Sequence, residues 1–228
     1  MSGTAEGRFL FHQGAFMTKG EIAGLVILAL SVALTAVFYP RMPAQMADHW
    51  NAAGEVDGYM PRLPSLLISP AVIALMWLAF FAIPRIDPLK RNIAQFRGIY
   101  DWLIVVVLLF ILAIGVQVIL WNLQVRVSPS QTLPVAFGLL CIFMGRLLGR
   151  AKRNYFVGIR TPWTLASDVV WEKTHRLGRW LFTIAGGVSL LGVFFGRYAL
   201  PFMLVPVLAT AAVLVLYSYV EYSRLPAV

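Results

Sequence analysis

The stretch Ile99–Leu120, IYDWLIVVVLLFILAIGVQVIL, decides the fold class. Its 22 residues carry Asp101 near the start and Gln117 as the one strongly polar interior residue. As a helix it would be about 33 Å long, and crossing ~30 Å of hydrocarbon takes about 20 apolar residues. Five further apolar stretches flank it: Ile22–Tyr39, Pro64–Ile83, Leu133–Leu148, Trp180–Phe195 and Leu200–Tyr219. The composition agrees, with 60% hydrophobic and 13% charged residues and a mean hydropathy of +0.77. Soluble domains carry about 25% charged residues. The sequence therefore predicts an all-α polytopic membrane protein of six transmembrane helices. Tyr39-Pro40, Ile83-Pro84 and Ser128-Pro129 mark span ends, because the residue before a proline is pushed out of helical geometry. A single cysteine, Cys141, excludes a disulfide within the chain.

The distribution of basic residues sets the orientation. With the N-terminus inside, Arg41, Arg62, Arg126 and Arg197 are the 4 outer basic residues, and the other 15 of the 19 Lys and Arg fall on the cytoplasmic side. That asymmetry follows the positive-inside rule and places both termini in the cytoplasm. A pI near 10.1 then reflects topology and contact with anionic membrane lipids, and no nucleic-acid partner is needed. The first apolar run is longer than a secretory signal core and is read as an uncleaved span. Residues 1–16 match nothing else in this reading and are expected to be a foreign or misassigned leader, with Met17 as the natural start.

Two loops carry the chemistry. The outer loop, 40–63, and the inner loop, 149–178, each follow the first span of a three-span half, residues 17–125 and 126–228. The halves would have opposite topology, as in inverted-repeat membrane folds. In the outer loop, Asp48, His49, Asn51, Glu55 and Asp57 are five metal-capable or proton-transferring side chains within ten positions, beside Trp50 and Tyr59. One reading is a binding surface with an aromatic wall. Another is a folded cap with tight turns at Gly54 and at Asp57-Gly58. A third is a metal site, for which His49 and Asp57 are the weak candidates, lacking a paired-His motif.

In the inner loop, Thr161-Pro162 breaks the chain, and Ser167-Asp168 should cap a helix that runs into the fifth span. Asp168, Glu172, His175 and Arg179 share one face of it, and Glu172–Arg176 is an i,i+4 pair. Glu172-x-x-His175 has the spacing of half a di-iron site, but only one copy exists. The spans hold no ionisable residue at mid-depth, which argues against a small-molecule permease. Gly192-x-x-x-Gly196 is expected on one helix face, for helix packing or a homodimer.

Taken together, the two loop motifs resemble a known family. His49-Trp50-Asn51 with Gly54 and Asp57-Gly58-Tyr59 is similar to the outer-loop motif of a bacterial membrane domain of unknown function. Asn154 with Gly158-Ile159-Arg160-Thr161-Pro162 through Thr164-Leu165, then Trp171 with Thr174-His175-Arg176 and Gly178, resembles the signature of the SdpI/YfhL family, and Glu172 is a further candidate binding residue of this inner motif. The resemblance implies a multi-pass protein of the bacterial cytoplasmic membrane, non-enzymatic and without a cofactor. It implies protection against an extracellular, membrane-active peptide toxin, with a cytoplasmic repressor-type partner. A metal-dependent membrane enzyme at the His49/Asp57 cluster is the competing expectation.

Overall fold

The computed structural model describes residues 17–125 and 127–226. The leader expected at 1–16, with Arg8, and the outer Arg126 lie outside the described residues. Among the described residues, six helices are long and apolar enough to cross a membrane. In chain order they are α1 (Lys19–Phe38), α2 (Arg62–Ile86), α4 (Arg97–Asn122), α5 (Pro129–Leu148), α7 (Asp168–Leu191) and α8 (Ala199–Ser223). Two short helices, α3 (Lys90–Gln95) and α6 (Pro162–Ala166), lie in connections. The outer loop is not irregular: β1 (Gln45–Trp50) and β2 (Val56–Pro61) pair as an antiparallel hairpin.

Local chemistry sets the boundaries. Thr18 and Glu21 form a reciprocal capping box that starts α1 three residues before the expected span. Ser167 caps α7 as read from the sequence, and helix and fifth span form one continuous element. Pro84, however, does not end its span: α2 continues to Ile86. A proline leaves the carbonyl four residues earlier without its helical donor. Here the Tyr100 hydroxyl donates to Phe80 O at 2.7 Å, and the same repair occurs at Pro70, where Thr35 Oγ1 donates to Leu66 O at 3.1 Å. In hydrocarbon no water is available for either carbonyl, so these donors are what permit proline inside α2.

The helices form two groups of three, α1–α2–α4 and α5–α7–α8, which meet along α4 and α5. The hairpin follows the first helix of one group, and the inner loop follows the first helix of the other, at the opposite end. One buried cluster, including Phe80, Tyr100, Ile104, Leu147, Val157 and Trp171, runs across both groups. Exposed Val26, Leu75, Leu109, Ile184 and Leu216 form the apolar exterior expected of a protein in lipid. Gln117 pins the α4–α5 connection, donating to Val127 O at 2.6 Å and accepting from Thr132 Oγ1 at 2.9 Å.

The glycine prediction needs correction. Gly192 and Gly196 are not on one helix face, because α7 ends at Leu191 and the chain turns back through two 3-10 turns, Gly192–Phe194 and Gly196–Tyr198. The small-residue contact is between α5 and α7: a Cβ on Gly186 would lie 2.6 Å from Gly138 O, and one on Gly138 2.8 Å from Gly186 O. Two backbones in contact leave no space for a methyl group.

Candidate functional site

Asn51 builds the hairpin turn. Its Oδ1 accepts from the N–H groups of Ala53 (2.9 Å) and Glu55 (3.0 Å), and its Nδ2 donates to Glu55 Oε2 at 3.1 Å. Gly54, at φ +81°, completes the reversal. Asp57-Gly58, expected as a second turn, lies inside β2 instead, where Gly58 pairs with His49 at an irregularity in the register. The reason is that Asn51 organises the single turn, which leaves both residues extended. His49 and Asp57 therefore face each other, Nδ1 to Oδ1, at 2.5 Å. The His49 side chain is 70% exposed and Asp57 43%, so the pair stands at the surface next to the exposed Tyr59.

The base of the hairpin is fixed to the bundle. Asn122, at the end of α4, accepts from Ala47 N–H at 3.0 Å and donates to Ala47 O at 2.8 Å. Trp50 is half-buried and meets Trp121 edge-on at 5.6 Å between centroids. Asp48 lines a cavity of about 280 Å³ between α1, α2 and α4. Its wall is mostly apolar, with the hydroxyls of Ser65 and Ser69, both buried without a hydrogen-bond partner among the described residues. Among the described residues no three His, Cys, Asp or Glu side chains gather as a metal site, and His49 and Asp57 are engaged with each other.

The inner loop is organised by buried polar groups. Asn154 is fully buried: Oδ1 accepts from Phe156 and Val157 N–H (3.0 and 2.6 Å), and Nδ2 donates to Lys152 O and Val157 O (2.8 and 2.9 Å). Gly158 follows at φ +119°, a conformation open to glycine and strained for other residues. It turns Ile159 N–H onto His175 Nε2 at 3.1 Å. Since that N–H must donate, Nε2 carries no proton, and Nδ1–H donates to Trp171 O at 2.8 Å. The imidazole is thus held neutral and stacked on the Trp171 ring at 3.9 Å, while Trp171 Nε1 donates to Ala151 O. Thr161 caps α6 ahead of Pro162 and contacts Ser218 of α8 at 3.0 Å. Arg160 reaches back to Tyr155 O at 2.9 Å.

The predicted shared face of α7 is the face that holds this loop. Asp168 pairs with Arg153, and His175 takes Ile159 N–H. Glu172 pairs with Lys152 at 3.1 Å, so its expected partner Arg176 is replaced by a residue from the loop. Of the inner-motif residues, Asn154, Thr161, Trp171 and His175 turn their polar atoms into the loop itself, whereas Arg160 and Glu172 stay exposed.

Residues 150–220 match the SdpI/YfhL protein family. That match takes in the inner loop, all of α7 and most of α8. Residues 26–74 match a domain of unknown function, DUF1648, which takes in the hairpin and parts of α1 and α2. The Immunity protein SdpI of Bacillus subtilis (strain 168) is 26% identical over 208 residues, covering 91% of this chain and 98% of that protein. No solved structure matches the chain.

Several positioning residues of this multi-pass membrane protein carry no motif in the sequence. Asp87, at the end of α2, accepts from Tyr155 N–H at 2.9 Å and so ties the inner loop to the first helix group. At the same end Glu21, 1% exposed, receives Arg85 at 2.8 Å and Arg97 at 3.0 Å, and Arg97 also meets Asp101 at 2.9 Å. This network joins α1, α2 and α4. Its only sequence signal is the Thr18-x-x-Glu21 box.

Proposed function

We propose that this protein is an immunity protein of the bacterial cytoplasmic membrane, non-enzymatic, that neutralises an extracellular membrane-active peptide at its hairpin end. The reading is carried by the pairing of two surfaces at that end. An exposed His49–Asp57 pair with Tyr59 offers polar and aromatic contacts, and the apolar cavity under the hairpin offers a berth for an apolar side chain. A membrane-active peptide has both kinds of surface. The similarity to the Bacillus subtilis immunity protein over nearly its whole length supports the same reading.

The basic end faces the cytoplasm in this account, and signalling to a cytoplasmic partner is its second part. Asp87 and the buried cluster shared by the two helix groups mechanically connect the inner loop to the helices that carry the hairpin. Peptide binding that favours one arrangement of these helices by about 1–3 kcal/mol would change the surface around the exposed Tyr155, Phe156 and Arg160.

The test is membrane potential in living bacteria that express the protein and are challenged with a membrane-active peptide encoded beside its gene. Wild type should hold its potential, while His49→Ala and Asp57→Ala, matched for membrane level, should depolarise. Equal depolarisation of all three, and of cells lacking the protein, would remove the reading.

A further inference from the structure

We propose that the cavity at the basic end, between α4, α5 and α7, binds a phosphate group, carried by an anionic membrane lipid or free in solution. The site is independent of where the peptide acts. Arg150, Lys152, Arg176 and Arg179 line a space of about 640 Å³, against one carboxylate, Glu172. Glu172 is held by Lys152 at 3.1 Å, which leaves the charge of three arginines. The side chains of Arg150 and Arg176 have no hydrogen bond or ion pair among the described residues. Arg179 is placed by packing: its Cδ sits where a Cβ on Gly149 would lie 2.8 Å away, and its guanidinium lies 5.3 Å from the Trp180 ring centre.

The opposite wall adds to the positive field. Phe96, Gly98 and Ile99 line it at the N-terminus of α4, a 26-residue helix whose N-cap Phe96 supplies no side-chain cap. Ile99 N–H is given to Phe96 O, and the positive end of the helix dipole favours an anion beside Gly98. At the end of α5 the Leu147 carbonyl is already taken by Arg150 and Ala151 N–H, so the arginine side chains are not drawn onto it. His175 also lines the cavity, but both its ring nitrogens are engaged.

Depth and lining favour a lipid. Along α7 the charged residues stop at Arg179, and Trp180 to Leu191 contains none. The cavity therefore sits where the helix passes from polar to apolar surroundings, the level of lipid headgroups. Guanidinium groups bind phosphate oxygens in pairs, and basic pockets between helices at this level suit anionic headgroups. Phe96, Ile99 and Leu148 supply apolar wall for the glycerol and upper acyl carbons.

The experiment titrates the full-length protein, in detergent, with short-chain phosphatidylglycerol, phosphatidylcholine or inorganic phosphate, and counts bound molecules by native mass spectrometry. Each basic residue at a membrane surface contributes about 1 kcal/mol, so Arg150→Gln/Arg176→Gln should bind phosphatidylglycerol about 30-fold more weakly. Arg150→Lys/Arg176→Lys should keep most of the binding, which separates lost charge from lost fold. Arg41→Gln/Arg197→Gln, with the same charge change at the other end, should match wild type. If inorganic phosphate alone shows the same variant pattern, the ligand is a soluble phosphate and the site stands. Neither phosphate source binding above phosphatidylcholine, or Arg150→Gln/Arg176→Gln binding like wild type, would overturn it.

Discussion

Replacing Gly158 by alanine tests the inner loop at its most constrained point. The backbone there is at φ +119°, which costs a residue with a Cβ about 1–3 kcal/mol. The new Cβ would also fall on His175 Nε2, the acceptor of Ile159 N–H. Either the imidazole moves off Trp171 or the loop shifts, and both leave a part-buried N–H without its partner, worth a further ~1–3 kcal/mol. Gly158→Ala should therefore lose about 2–5 kcal/mol, allowing for overlap between the two terms. For a chain of this size each kcal/mol lowers the midpoint by about 2–4 °C, so thermal unfolding in detergent should fall by about 4–20 °C. Gly187→Ala is the control: its Cβ meets nothing within 4 Å, and alanine is the better helix former. Its midpoint should equal wild type or exceed it. A Gly158→Ala protein as stable as the Gly187→Ala control would refute the loop geometry.

Three further outcomes follow from the helix contacts. Tyr100→Phe removes the donor that satisfies Phe80 O beside Pro84 and should cost about 1–3 kcal/mol; adding Pro84→Ala returns a backbone donor, so the double variant should recover most of the loss. Glu21→Gln breaks a buried junction of two arginines, a change worth ~3–5 kcal/mol for fully buried pairs. Because Arg85 and Arg97 keep some solvent access, a loss nearer ~1–3 kcal/mol is expected, read as a lower midpoint at neutral pH. Gly186→Ala pushes a methyl against Gly138 O and should cost more than Gly187→Ala, its immediate neighbour, by about 1–3 kcal/mol in the same assay.

The spans were legible because apolar runs of membrane length have one physical solution, and the charge asymmetry supplied a direction for them. Ser167 and Asp168 were equally plain as a helix start. The expected end of α2 at Ile83 failed because a proline ends a helix only when its orphaned carbonyl finds no other donor, and Tyr100 lies 20 residues away in sequence. The hairpin was hidden for a related reason: its register depends on Asn51 and on Asn122, a residue from another helix. Asp57-Gly58 looks like a turn in isolation and becomes strand once Asn51 has made the turn earlier. Buried charge partners such as Glu21 with Arg85 and Arg97 carry no local pattern, since each comes from a different helix. The inner motif stood out by its residue types, but the sequence did not say that Asn154 and His175 would spend their hydrogen bonds inside the loop.

The central claim is that the hairpin end meets the peptide. Hydrogen–deuterium exchange of the full-length protein in lipid nanodiscs, with and without the membrane-active peptide encoded beside its gene, tests this directly. The account predicts slowed exchange across Gln45–Trp50 and Val56–Pro61 on adding peptide, lost in the Asp57→Ala variant. Protection confined to the inner loop, or peptide binding that leaves the hairpin amides unchanged, would contradict it.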